Sequence, residues 1–119
     1  MPIATYEPGG ETLADRLAAA RGHNPEREAL VCYQDNGTRV TRLTYEELYQ
    51  QALAVAKGLN ARGVRHGDHV ALWLPNGPEW VLFQHATAML GAVLVPANSF
   101  YREAEFEYLL RQSDAAVLV

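Results

Sequence analysis

The sequence predicts an α/β fold: a mostly parallel sheet with flanking helices, preceded by an N-terminal β-hairpin. Three observations point to it. First, Val70-Ala71-Leu72-Trp73-Leu74 and Ala92-Val93-Leu94-Val95 contain almost no polar residue, the composition of strands covered on both faces. Second, Pro78 to Leu90 lies between these runs and carries Trp80, Val81, Phe83, Ala86, Ala88, Met89 and Leu90. Those residues leave it apolar around most of its circumference, as an interior helix is. Third, Asn36-Gly37 stands between two extended runs, the strongest short-range signal for a hairpin. Pro78 suits a first helical turn and Gly91 a left-handed stop, so His69 to Asn98 reads as a βαβ unit with a right-handed crossover.

Taken in order, residues 1–11 form a lead-in to which Pro2, Pro8, Gly9 and Gly10 deny regular structure. Thr12 caps a helix with Leu13 and Leu17 on its apolar side and Asp15 near its positive end. That helix ends in Gly22-His23-Asn24-Pro25. The strand Ala29 to Tyr33, the turn Asp35-Asn36-Gly37-Thr38 and the strand Arg39 to Leu43 make the hairpin. Thr44-Tyr45-Glu46-Glu47 is a capping box, with the Thr hydroxyl and Glu47 carboxylate each serving the other's amide. The helix it opens places Tyr45, Leu48, Tyr49, Ala52, Val55, Ala56 and Leu59 at helical spacing. Gly63 ends it, with Val64 set to pack on Leu59 in a Schellman closure. Beyond Asn98 a helix of about Arg102 to Gln112, with Phe106, Leu109 and Leu110 inward, leads to a last apolar strand, Ala115 to Val119.

The 119 residues, 49% hydrophobic, suffice for one core and no more than one domain. A formal charge of -4 argues against nucleic acid and anionic membranes as partners. No apolar run is long enough to span a bilayer, and the N-terminus lacks a basic region followed by an apolar one. With its single Cys32, the chain is expected to be cytoplasmic. A chain that stops on a buried strand reads as the first part of a larger domain.

Candidate chemistry is sparse. A nucleotide site needs glycines that let backbone amides close on phosphate after a strand, and Gly9-Gly10 has neither that strand nor a lysine. His66 and His69 straddle a turn and a strand start rather than one helix face, a poor metal spacing for a chain with one cysteine. His85 in an apolar helix is better explained by packing than by catalysis, with no nucleophile or orienting acid in sight. Cys32 reads as a small buried hydrophobe. Glu46, Glu47, Glu103, Glu105 and Glu107 complement helix dipoles, while Arg39 and Arg42 read as solvated. The best binding candidates are Pro75-Asn76 and Pro96-Ala97-Asn98, at the carboxyl ends of parallel strands, where open α/β sheets hold ligands. Holding loop shape is the favoured account of both asparagines.

Leu43-Thr44-Tyr45-Glu46-Glu47-Leu48, Gly63-Val64 with Gly67-Asp68, Leu74-Pro75-Asn76, and Gly91-Ala92-Val93 with Val95-Pro96 and Asn98 occur in a familiar order. That order resembles the N-terminal region of the AMP-forming adenylating enzymes, a superfamily of acyl-CoA synthetases, adenylation domains and luciferases. The likeness runs from Thr12 onward. Residues 98–119 look most like fatty-acyl and related carboxylate–CoA ligases, apart from Arg102, where relatives often carry a capping Ser or Thr. The resemblance implies that residues 12–119 are the incomplete first part of the large N-terminal domain. In the family, the phosphate loop, nucleotide contacts, acyl pocket and catalytic lysine all come later, so it assigns no catalytic, cofactor-binding or metal residue here. It implies ATP, Mg2+, coenzyme A and a carboxylic acid for the complete enzyme, with the missing C-terminal remainder as partner, and an isolated chain that is inactive. Two alternatives stand beside it: a self-standing α/β module binding a small ligand at Asn76 and Asn98, or a non-catalytic subunit completing a split ligase. Open sheet edges predict poor solubility or oligomers for the isolated chain.

Overall fold

The first helix starts where its capping chemistry places it. In the computed structural model, which describes residues 11–119, Thr12 accepts the Asp15 amide and the Asp15 carboxylate accepts the Thr12 amide, opening α1 (Leu13–His23). Most of the expected lead-in, including Gly9-Gly10, lies outside the described residues. The hairpin follows, with β1 (Glu28–Gln34) antiparallel to β2 (Arg39–Thr44) and Gln34 opposite Arg39. Its loop is longer than a two-residue Asn-Gly turn. Asp35, Asn36 and Gly37 all have positive φ, and the Thr38 amide closes the loop by donating a hydrogen bond to the Asp35 carbonyl. Asp and Asn tolerate that conformation because their short polar side chains bond locally.

Helix α2 (Tyr45–Ala61) opens on the reciprocal Thr44–Glu47 box, both bonds 3.1 Å. It closes as the sequence predicts. Gly63 sits at φ +97° and donates to the Asn60 carbonyl, and the Val64 amide reaches the Leu59 carbonyl at 3.1 Å. Those are the two bonds of a Schellman motif, and Val64 and Leu59 are both buried in one core cluster.

Strand β3 (His69–Leu72) is the centre of a three-stranded parallel sheet, ordered β4-β3-β5, with β4 at Val93–Pro96 and β5 at Ala115–Leu118. The hairpin forms a separate sheet. Two strand expectations need correction. β3 ends at Leu72 rather than Leu74, and Trp73 leaves the strand to lie against Phe106, ring centroids 4.5 Å apart. Among the described residues only β3 is covered on both faces: Val70, Ala71 and Leu72 are fully buried, whereas Val93 of β4 is 46% exposed. An edge strand has one neighbour, and the layer above it ends there, so an apolar run does not guarantee cover.

Helix α3 (Pro78–Leu90) explains its own all-round apolarity. Phe83, Ala86 and Leu90 join the cluster of Ala56, Leu59, Val64 and Val70, while Val81 and Leu82 join a second one around Leu17, Leu43 and Leu48, and Met89 touches both. It therefore lies between α1 and α2 on one side and the parallel sheet on the other. Fully buried residues are nevertheless few (Pro78, Ala86 and Thr87), so α3 is a bridge between cores rather than a wholly interior helix. The Thr87 hydroxyl is satisfied within the helix by the Phe83 and Gln84 carbonyls. Gly91, at φ +67°, ends α3 and turns the chain into β4.

Helix α4 (Glu103–Ser113) begins one residue later than expected, at an Arg102 cap that makes no side-chain bond. Phe106, Leu109 and Leu110 are half-buried, and not one of its 11 residues is fully buried.

Candidate functional site

Parallel pairing brings the carboxyl ends of β3, β4 and β5 to one edge of the sheet. Two backbone hydrogen bonds fix that edge: the Ala97 amide donates to the Leu72 carbonyl at 2.8 Å, and the Trp73 amide to the Val119 carbonyl at 2.9 Å. The loops that follow therefore leave the sheet side by side, and they carry Pro75-Asn76 and Pro96-Ala97-Asn98.

The two asparagines behave differently. The Asn98 carboxamide oxygen accepts the Phe100 amide at 2.9 Å, and its backbone carbonyl accepts the Tyr101 amide, so Asn98 is committed to shaping its own turn. Asn76 instead lines an open groove of about 300 Å3 with Gln34, Arg39, Leu74, Pro75, Gly77 and Glu79. The hairpin end supplies Gln34 and Arg39, which no local pattern around Asn76 could have announced. Arg39 reaches Asp35 at 3.5 Å in an exposed pair, which solvent weakens. This groove offers amides, one guanidinium and one carboxylate. Such a set can orient a polar ligand, but it contains no nucleophile with an adjacent base.

The other candidates resolve into structural parts. The His66 ring covers Gly91: a Cβ built there would meet its Cδ2 at 2.3 Å. His69 Nδ1 bonds the Ser113 carbonyl and so ties β3 to the end of α4. The two histidines serve different contacts, and among the described residues no three His, Cys, Asp or Glu side chains gather as a metal would need. His85 is half-buried on α3, its Nδ1 lacks a partner, and desolvation lowers its pKa and favours the neutral ring. Cys32 is half-buried within the hairpin.

The acidic residues largely follow their helix positions. Glu47 completes its box, and Glu103 and Glu105 sit in the first turn of α4. Glu107 pairs with Arg111 across one turn, and Arg42 takes Glu28 through both carboxylate oxygens at 2.9 and 3.1 Å. Glu46 does more than complement a dipole. It accepts from Arg21, whose guanidinium also lies 4.3 Å from the centroid of the Tyr49 ring, and that bond lowers the Glu46 pKa. An ion pair 25 residues apart has no signal in the local sequence.

Residues 17–119 match the family model described as AMP-binding enzyme. Among curated proteins, the acyl-CoA synthetase homologue YngI of Bacillus subtilis is 47% identical over 108 residues, covering 91% of this chain and 19% of that protein. The mitochondrial medium-chain acyl-CoA ligase ACSF2 of Danio rerio is 40% identical over 98% of this chain and 19% of its own length. The chain thus spans about a fifth of the length of the curated relatives it matches. Among solved structures, the N-terminal domain of FACL13 from Mycobacterium tuberculosis superposes with a TM-score of 0.83 at 30% identity, over 91% of this chain and 26% of that one. The NpsA N-terminal subdomain of Klebsiella oxytoca gives 0.81 at 30% identity, over 92% and 27%.

Proposed function

The chain belongs to the AMP-binding enzyme family, and from that premise we propose that it forms the opening part of the large N-terminal domain of an AMP-forming carboxylate–CoA ligase. In that reaction a carboxylate oxygen attacks the α-phosphorus of ATP, pyrophosphate leaves, and the thiol of coenzyme A then displaces AMP from the acyl-adenylate. A fatty carboxylic acid is the substrate class, in keeping with the names of the similar ligases. The observation carrying this reading is a similarity that runs along nearly the whole chain yet spans only a fifth of each relative. The single Cys32 suits the reducing cytosol, where we place the protein. No helix among the described residues is long and apolar enough to cross a membrane.

The part played by these residues is support. A buried central strand, a helix bridging two cores and a closed α2 terminus make a rigid floor. Rigid elements hold reacting groups more accurately than loops do. ATP, Mg2+ and coenzyme A are implied for the complete enzyme, but the groove at Asn76 does not fit a triphosphate with its metal. It presents one carboxylate, Glu79, and one guanidinium beside the Asp35 carboxylate. The isolated chain is accordingly expected to be inactive. The test is ATP–pyrophosphate exchange with a panel of carboxylates, using the chain alone and the chain fused in frame to the rest of YngI. Exchange by the fusion only is the expected result. Exchange by the chain alone refutes the inactivity, and silence from both removes support for a ligase.

A further inference from the structure

An asparagine side chain is most open to attack by the next backbone nitrogen when glycine follows, because no Cβ then shields that nitrogen. Of the five asparagines here, two precede glycine, at Asn36-Gly37 and Asn76-Gly77. Both asparagines are exposed, but the fold holds them differently. Asn36 sits at φ 56° and ψ 32° in the short turn Asp35–Gly37, which the Thr38 amide closes on the Asp35 carbonyl. Ring closure between an asparagine side chain and the next nitrogen needs rotation about that ψ bond, so the closed turn restrains it.

Asn76 has no such restraint. Positions 76 and 77 form a bend between β3 and α3 that no backbone hydrogen bond spans among the described residues. The Gly77 amide, just ahead of the first helical turn, donates to no protein group there. Unlike Asn98, whose carboxamide the Phe100 amide occupies, Asn76 leaves its carboxamide unengaged by the described residues. The Glu79 carboxylate stands over Gly77: a Cβ built on that glycine would lie 3.1 Å from Glu79 Oε2. An unengaged amide nitrogen, an unheld carboxamide carbon and a proton acceptor therefore meet between positions 76 and 79.

We propose that Asn76-Gly77 is a self-modifying site: Asn76 deamidates through a succinimide, assisted by Glu79, and adds a second carboxylate to the groove it lines. In the first step the Gly77 nitrogen gives its proton to Glu79 and attacks Asn76 Cγ. The N–Cγ bond forms, the Cγ–Nδ2 bond breaks, and ammonia leaves with that proton. Water then opens the imide at Cγ, giving aspartate, or at the backbone carbonyl, giving isoaspartate. The new carboxylate precedes α3, whose first turn has no side-chain cap, and the positive end of the helix dipole favours an anion there. Loss of the Asn76 amide leaves Gln34 and Arg39 as the side-chain donors lining the groove. The reaction needs only residues 76–79 and water, so it stands apart from the ligase reading.

The experiment incubates the chain in neutral buffer, alone and fused in frame to the rest of YngI. Both Asn-Gly sites are followed by peptide mass spectrometry and by isoaspartyl methyltransferase labelling. Asn76 should convert several-fold faster than Asn36 in both proteins, and the two rates should converge in urea, where only local sequence acts. Glu79→Gln should slow Asn76 by about tenfold, a modest part of what a positioned proton acceptor supplies, and leave Asn36 unchanged. Gly77→Ala, at an extended φ of 175° that alanine adopts, should suppress the Asn76 reaction while circular dichroism stays native. Equal rates at the two sites without urea, or faster loss of Asn36, overturn the proposal. A Glu79→Gln variant whose Asn76 reacts as fast as the wild type does so too. A gap between the sites that persists in urea belongs to local sequence and overturns the structural cause. Conversion confined to the isolated chain overturns it as a property of the complete protein.

Discussion

Gly91→Ala separates two reasons for glycine at the end of α3. Gly91 has φ +67°, where an L-residue costs about 1–2 kcal/mol through contact of Cβ with the following carbonyl. The added methyl would also lie 2.3 Å from His66 Cδ2 and 3.0 Å from Nε2, so the ring must move. His66 is an exposed loop residue and can swing outward. That displacement therefore belongs at the low end of overpacking costs, about 1 kcal/mol. The total is about 2–3 kcal/mol, which corresponds to a fall in Tm of about 8–12 °C at about 4 °C per kcal/mol. Gly67→Ala is the internal control. Its φ is +85° but no atom lies within 4 Å of its Cβ position, so only the conformational cost of about 1–2 kcal/mol should appear. Urea denaturation followed by far-UV circular dichroism measures both variants, together with the double variant His66→Ala/Gly91→Ala. The double variant should fall no further than Gly67→Ala does, measured against His66→Ala alone. Equal losses for Gly91→Ala and Gly67→Ala, or no recovery when the ring is removed, would refute the steric part.

Other consequences follow from burial and capping. Leu72 is fully buried in the central strand, so Leu72→Ala should cost about 2–5 kcal/mol in urea midpoint, against less than about 0.5 kcal/mol for an exposed change such as Tyr33→Thr. Thr44→Ala removes the hydroxyl that accepts the Glu47 amide and should destabilise by about 1 kcal/mol, with Thr44→Ser restoring most of it. Burial lowers the His85 pKa, so the unfolded chain takes up its proton first as pH falls through about 6.5. Its contribution is neutral above that range and destabilising as pH drops toward the lowered folded value. Denaturation midpoints at about pH 7.5 and about pH 5.5 should therefore differ less in His85→Gln than in the wild type. An unchanged pH dependence in that variant would remove His85 from the account.

Much of the architecture was legible because its signals are local. Thr44 and Glu47 are three residues apart, and their two bonds need nothing else from the chain. Gly63 and Val64 likewise close α2 with carbonyls no more than five residues back. The candidate site was less legible. Asn76 was correctly placed at the carboxyl edge, but its groove includes Gln34 and Arg39 from a hairpin some forty residues earlier. Asn98, read from sequence more readily as a turn residue than as a binding one, is a turn residue, since the Phe100 and Tyr101 amides occupy it.

By itself the sequence determined where helices start and stop, where the hairpin turns, and which family the chain resembles. These depend on hydrogen bonds and backbone preferences satisfied within a few residues. Only the tertiary structure decided that Trp73 leaves its strand for Phe106, that β4 stays half uncovered, and that Arg21 reaches Glu46. Burial and pairing of that kind are set by what distant segments bring to a surface. An apolar residue therefore records a need for cover without saying which part of the chain supplies it.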